Sequence, residues 1–493
     1  MKARPDSPTP AINRSIRGYS VHFDEAILEW SRSEGRVNLS ILGTKVSGRD
    51  GKVVVQAPKA ALDFSASELL AGHLGLKRFS LVGVQLAAMR ARDGSLHLGF
   101  ESGNNAPDLL ETIRMILKDT GDSGGSLQSF AVIDARLAFR DEGSGLFVVF
   151  PRARLTLDGK NGKGFGAAFQ SAVEISGSPS QLKLTASLRE NGTPEEGAIT
   201  IGGLSFPALV KNSSWFAPLT PYRLTADAEL HLKFGTQYDV VSAVFHTGGK
   251  GVIDHSVLGR DLDLERFDAA GTYDAGAGRL VVETAEIRSK QASGKGSASV
   301  AFALKDGMLD RLSGSAAVHD ANFELPGFLR QKLAVPKLLL NASYDRAASL
   351  LRWDSAHIEA GSLMADLSGS VALGGGGSPA VTLSGTLGAM RIRDLLTYWP
   401  IGKGLGAYEW IAENISEGRI GPIRIDLDAP AGAFDAETLP DNAIRASFAY
   451  ENLSAKYIDG MTPLTAGKGE AVLTGDNFRA TLQTGAIGPL PIT

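Results

Sequence analysis

The sequence predicts a mainly β protein: an elongated, curved antiparallel sheet forming a taco-like groove, with a few short helices. Two observations lead there. Apolar residues recur at every second position through long stretches, the period that places them on one face of a strand. Between these runs lie Asp-Gly pairs at Asp50, Asp93, Asp158, Asp306 and Asp459 and Asn-Gly pairs at Asn161 and Asn191, dipeptides suited to the positive φ of tight hairpin turns. Parallel strands would need long crossovers, and few helices are visible, so consecutive antiparallel hairpins are the simplest connection.

In chain order, residues 1–18 are expected to be disordered, and residues 19–120 to form an N-terminal module of strands with two helices. RVNLSIL alternates Val37, Leu39 and Ile41, and SLHLGF alternates Leu96, Leu98 and Phe100. Ser65 with Glu68 makes a capping box ahead of Leu69, Leu70 and Leu74, which predicts a helix over 66–74. Pro107 opens PDLLETIRMILK, predicting a helix over 107–118 with Leu109, Leu110, Ile113, Ile116 and Leu117 on one face. Residues 121–126 read as a Gly/Ser linker.

The remaining region, 127–493, carries the longest alternations: QLKLTASL, YRLTADAELHLKF and LMADLSGSVAL. Leu224, Leu230, Leu232 and Phe234 share one face of the second, and Leu363, Leu367 and Val371 one face of the third. Together with Leu383 they are the candidate groove-lining residues. Gly374–Gly377 falls between two such strands and reads as a long hairpin loop. A helix is predicted over 407–417, with Trp410, Ile411, Asn414 and Ile415 on one side and Gly418 as its C-terminal stop. Two shorter helical turns are read near 208–216 and 326–333.

Composition narrows the function. With 50 basic against 54 acidic residues, the net charge of -4 leaves no basic excess for a phosphate backbone. The absence of cysteine removes disulfides, thiolate nucleophiles and zinc–thiolate centres. No run of about 18 apolar residues predicts a membrane-spanning helix, and the first twenty residues lack the apolar core of a signal peptide.

Catalytic motifs find no context. Gly121-Asp122-Ser123-Gly124-Gly125 matches a nucleophilic-serine string, yet no histidine lies in a matching setting and a helix rather than a strand precedes it. A hydrolase using Ser123 is the weakest reading, behind a linker. NGKGFGAAF lacks phosphate-loop spacing. Asp261, Asp263 and Glu265 alternate with leucines and read as the solvated face of a strand. No enzyme, metal or cofactor is expected. What remains is a long series of aliphatic faces whose exposure would suit an apolar ligand.

RIRDLLTYWPIGKGLGAYEWIAENISEGRIGP, residues 391–422, resembles a segment of the AsmA-like superfamily, specifically its YhdP-type members, at Tyr398, Trp399, Pro400, Trp410, Asn414, Gly418 and Arg419. SFAYENLSAKYIDGMTPLTAGKGEAVLTGDNF and the segment from Tyr19 to Leu86 also resemble that family, so the likeness spans nearly the whole chain. It implies an inner-membrane anchor followed by a periplasmic β-groove that conducts phospholipids between the inner and outer membranes of a Gram-negative envelope. No anchor precedes Tyr19 and the chain stops at Thr493, where family members continue, so a fragment is expected. The motif aromatics are taken as packing a helix on the sheet in preference to forming a membrane-interfacial cluster.

The expected function is therefore non-enzymatic transport of phospholipids or other acyl lipids, with no cofactor and no nucleic acid. The alternative is a structural or assembly factor for outer-membrane biogenesis that conducts no lipid.

Overall fold

The computed structural model describes residues 19–31, 36–48, 53–71, 76–93, 96–100, 128–159, 164–189, 193–236, 239–254, 261–305, 308–324, 329–373, 378–399, 401, 405–435, 440, 442–474 and 477–493. The disordered segment 1–18, the helix over 107–118, the linker 121–126, Ser123, the glycines 374–377, Pro400 and positions 326–328 of the predicted 326–333 turn lie outside the described residues; the rest of that turn is not helical, since 329–332 are bend and irregular backbone and Leu333 opens a strand whose ladder partner is Phe323. The chain divides into two compact units, 1–251 and 252–493.

The first unit contains β1 (Tyr19–His22), β2 (Glu25–Ser31), β3 (Arg36–Gly48), β4 (Val53–Ser65), β5 (Leu76–Val82), β6 (Gln85–Arg90), β7 (Leu96–Phe100), β8 (Ser129–Asp141), β9 (Phe147–Gly159), β10 (Phe165–Ile175), β11 (Ser178–Leu188), β12 (Pro194–Ser205), β13 (Tyr222–Phe234) and β14 (Val240–Ile253), whose end enters the second unit. From β8 to β13 each strand pairs antiparallel with the next. The all-antiparallel expectation needs one correction, because β5 and β6 both run parallel to β8. A parallel connection needs a dozen or more residues, which the stretch between Phe100 and Ser129 supplies.

Helix α1 (Ala66–Leu70) begins at the predicted cap, where Ser65 Oγ accepts from the Glu68 amide, but it ends four residues short of the predicted boundary. Ala71 has left helical geometry there, with φ -83° and ψ 2°, directly before Gly72, a poor helix former. Between β12 and β13 lie α2 (Phe206–Asn212), capped by Ser205, and a 3-10 segment, Ser214–Leu219. Leu209 of α2 joins a core with Phe130, Val132, Phe150, Val173 and Ile175.

The second unit contains β15 (Leu262–Asp274), β16 (Arg279–Ser289), β17 (Ala292–Lys305), β18 (Met308–Phe323), β19 (Leu333–Asp345), β20 (Leu350–Ala360), β21 (Leu363–Ala372), β22 (Ala380–Leu387), β23 (Met390–Arg391), β24 (Ile415–Ile420), β25 (Ile423–Ala429), β26 (Ile444–Ala455), β27 (Leu464–Thr474), β28 (Asn477–Ile487) and β29 (Leu490–Ile492). Sequential antiparallel pairs run from β15 to β22. Next, β22 pairs with β25 and β23 with β24, so α3 (Ile392–Tyr398) and α4 (Leu405–Asn414) sit in a helical insertion between two paired strands.

The helix predicted over 407–417 therefore runs from 405 to 414, and Ile415 opens β24 instead. Pairing decides this: Ile415 faces Ala455 and Ile420 faces Tyr450 across β26, and both isoleucines are buried. Gly418 is not a helix stop. It lies within β24 at φ 144°, where an added Cβ would come within 2.9 Å of Leu453 Cδ1. Helix α3 was not foreseen, although Ile392 and Leu395 stand three apart and Asp394 occupies the first turn. Its Ile392 packs with Met390, Ile420, Ile423 and Tyr450 in a core beneath the helices.

Candidate apolar binding face

In the first unit, register aligns Val132, Leu155, Phe169, Leu184, Ile199 and Leu230 in a single row across β8 to β13. Val132 is fully covered, whereas the five that follow are only half-buried. The next row passes through Phe130, Leu157, Ala167, Ala186, Gly197 and Leu232. Phe234 reaches back over Gly197: a Cβ added to that glycine would lie 3.3 Å from the phenyl ring. Arg189 holds the adjoining turns, donating to the carbonyls of Pro194 at 2.6 Å, Phe234 at 3.1 Å and Gly235 at 3.2 Å. Of the four groove candidates on β13, Leu224 is buried, and Leu230, Leu232 and Phe234 are half-buried.

The second unit repeats the arrangement over more strands. Tyr273, Leu280, Val300, Gly314, Ala342, Trp353, Gly369, Leu383, Leu427 and Ile444 form one row across ten strands. Each is half-buried. A parallel row carries Val282, Ala298, Ala316, Leu340, Ala356, Leu367, Gly385 and Ile425. Rows on one face are two residues apart, or about 6.8 Å, and strands are about 4.8 Å apart, so the apolar strip runs for roughly 45 Å across the strands.

Side-chain size varies along it. Trp353 lies across Gly369, where a Cβ would come within 2.6 Å of the indole Cζ2, and Leu367 lies beside Gly385, where a Cβ would be 2.9 Å from its Cδ2. Sequence reasoning placed Leu363, Leu367, Val371 and Leu383 on this face, and register brings them onto it with Val371 opposite Leu351 and Val381. It missed Trp353, because a bulge between Trp353 and Ala356 breaks the period-two signal in LLRWDSAHIEA.

The helical insertion covers one end of this face. Ile423, 5% exposed, shares a core with Ile392 of α3, while Val318, Leu338 and Ile358 in the same row, further along the sheet, are half-buried. The motif residues hold the insertion in place. Tyr398 Oη donates to the Ala360 carbonyl at 2.6 Å, Trp399 meets Tyr408 edge-on at 6.3 Å between centroids, and the Arg330 guanidinium lies 3.8 Å over the Tyr408 ring. Asn414 Nδ2 donates to the Trp410 carbonyl at 3.0 Å, and Arg419 stands opposite Glu451 on β26. Trp410 itself is 43% exposed.

The opposite face is polar. Asn341 Nδ2 donates to Ser355 Oγ at 2.8 Å, and Ser384 Oγ to Asp426 Oδ1 at 2.9 Å. His357 sits between two carboxylates, with Nδ1 2.7 Å from Asp366 and Nε2 3.1 Å from Glu359, and Lys337 lies 3.0 Å from Glu359. The hydrogen bonds to Asp366 and then Glu359 raise the His357 pKa above its ordinary value, and those from Lys337 and His357 lower that of Glu359. Asp261, Asp263 and Glu265 are all exposed at the start of β15.

Among the described residues there is no cluster of three or more His, Asp or Glu placed to hold a metal ion, and no helix is long and apolar enough to cross a membrane. No protein-family model, curated protein or solved structure matches the chain.

Proposed function

We propose that this chain carries acyl lipids, phospholipids in the first place, on the apolar face of its sheet. The observation that carries the reading is the ten-strand row from Tyr273 to Ile444, half-buried along its whole length. A closed core would cover such a row. An aliphatic strip of this extent open to water is costly, and each methylene of a lipid laid on it contributes about 0.8 kcal/mol. The aliphatic lining makes no sequence of polar contacts that a lipid must satisfy, so movement along the strip has no large local barrier.

The resemblance of residues 391–422 to YhdP-type proteins of the AsmA-like superfamily supports the same reading. The resemblance implies an activity in the periplasm, between the inner and outer membranes of a Gram-negative envelope, without catalysis or cofactor. The test is to purify the protein from cells and measure bound lipid by mass spectrometry. A photo-crosslinking residue at Leu230 or Leu367 adds position. Phospholipid adducts at both sites support the proposal, and a lipid-free protein, or adducts to polypeptide alone, rejects it in favour of an assembly role.

A further inference from the structure

Seven aromatic side chains among the described residues are prominently exposed, and three of them, Phe147, Trp215 and Tyr222, belong to one end of the first unit. Trp215 is 59% exposed, Phe147 46% and Tyr222 40%. They come from the start of β9, the 3-10 segment and the start of β13, three separate stretches of chain.

Their exposure is held by the fold around them. Asn212 at the end of α2 donates to the Phe147 carbonyl at 2.7 Å and accepts from the Phe147 amide at 2.9 Å. Ser213 Oγ donates to the Ser144 carbonyl and accepts from the Trp215 amide. Phe216 turns inward to the core and braces Trp215 edge-on at 5.0 Å. The segment therefore tucks in Phe216 and Leu219 while presenting Trp215 outward.

Basic residues accompany the aromatics at this end of the unit. Arg140 pairs directly across from Phe147, with its guanidinium 5.9 Å from the ring centroid. Lys211 is exposed on the last turn of α2, and Arg223 follows Tyr222. Of the acidic residues here, Asp141 at the end of β8 is buried and engaged by Ser144 and Arg90, and Glu142 in the turn and Glu174 on β10 are exposed, so the exposed bases Arg140, Lys211 and Arg223 outnumber the exposed carboxylates, although the whole chain carries -4.

We infer that this patch docks on the surface of a phospholipid bilayer containing anionic lipid. Amphipathic Trp and Tyr rings, an apolar Phe and adjacent cations are the chemistry that a headgroup region accepts. Docking deepens the lipid-carrying reading and rests on it for its biological sense, because lipid must enter or leave the sheet at a membrane. It is nonetheless measured separately from bound lipid.

The test is flotation of the full chain with phosphatidylcholine vesicles, with and without phosphatidylglycerol. The wild-type protein is expected to float with both and more strongly with the anionic vesicles. Trp215→Ala should weaken binding to both by roughly tenfold. Arg140→Gln with Lys211→Gln should lose the anionic preference, roughly fivefold per charge removed, and this second pair keeps the test decisive if the first variant folds poorly. Trp410→Ala, in the other unit, should float as wild type.

Failure of the wild-type protein to float, or unchanged flotation of both the Trp215 and the charge variants, overturns the inference. Loss of self-association in place of flotation in Trp215→Ala would also overturn it, reassigning the patch to a second copy of the chain. Lipid bound to the purified Trp215→Ala protein at the wild-type level separates docking from carriage: docking then fails alone, whereas an absence of bound lipid from wild type removes carriage alone.

Discussion

The hydroxyl of Tyr398, the last residue of α3, donates a 2.6 Å hydrogen bond to the carbonyl of Ala360, the last residue of β20. Residues 38 apart in sequence are thereby joined, and the helical insertion is fastened to the hairpin that β20 and β21 form. Gly361, in the turn, has φ 61°, and a Cβ there would lie 3.0 Å from the same hydroxyl. Tyr398→Phe keeps the ring and removes the donor. It is expected to lower the stability of the second unit by about 1 kcal/mol, read as a shift in its denaturant midpoint, with the far-ultraviolet spectrum unchanged.

Trp353 and Gly369 give a sharper mutation. A side chain at Gly369 meets the Thr382 carbonyl oxygen at 2.2 Å as well as the indole, so backbone and ring must both move. Gly369→Val should cost about 1–3 kcal/mol or more from overpacking. Trp353→Ala in the same background should recover part of that loss; additive losses in chemical denaturation would refute the contact.

Leu367 and Ser368 are neighbours on opposite faces of β21. A carboxylate at 367 would place an unpaired charge in the centre of the apolar row, where a lipid chain would have to cover it. Leu367→Asp should therefore strip most of the co-purifying lipid, and Ser368→Asp should leave it. Equal lipid content in the two variants would show that the face is not the binding surface.

The contacts of His357 set a pH dependence. Its folded pKa is raised, by the hydrogen bond to Asp366 first and then Glu359. Such a group contributes stability that is fully present below its unfolded pKa, about 6.5, and is lost as pH rises through the higher folded value. The imidazole resonances, followed by NMR, should titrate above the free-histidine range. Asp366→Asn should bring that midpoint down, and an unmoved midpoint would exclude the carboxylate as its cause. Glu359 has the opposite sign: its folded pKa is lowered, so its contribution is present above the unfolded value and lost as pH falls through the folded one.

Much of the fold is legible in the residues because a strand's side chains alternate between faces regardless of what they pack against. YRLTADAELHLKF and LMADLSGSVAL form strands where their alternation requires them, at Tyr222–Phe234 and Leu363–Ala372. The cap at Ser65 likewise marks the start of α1, since the side chain that accepts the orphan amide is local to it.

Boundaries governed by distant partners were not legible. Ile415 has the spacing to continue a helix, yet it becomes a strand residue because Ala455, 40 positions on, supplies a ladder partner and a buried site. The parallel pairing of β5 and β6 with β8 has no local signature either. Trp353 was hidden by its bulge, since a single extra residue inverts the phase of the alternation.

The sequence by itself determined that this chain is built of amphipathic strands with largely aliphatic faces, because periodicity and residue type are properties of neighbours along the chain. Only the tertiary structure decided which of those faces are covered. Register lines Tyr273 through Ile444 into one row and leaves it half-open, while Ile392 and Leu395 of α3 and Ile411 of α4 pack into a core with Ile423. Burial depends on which strand or helix lies opposite, and that is fixed by long-range pairing.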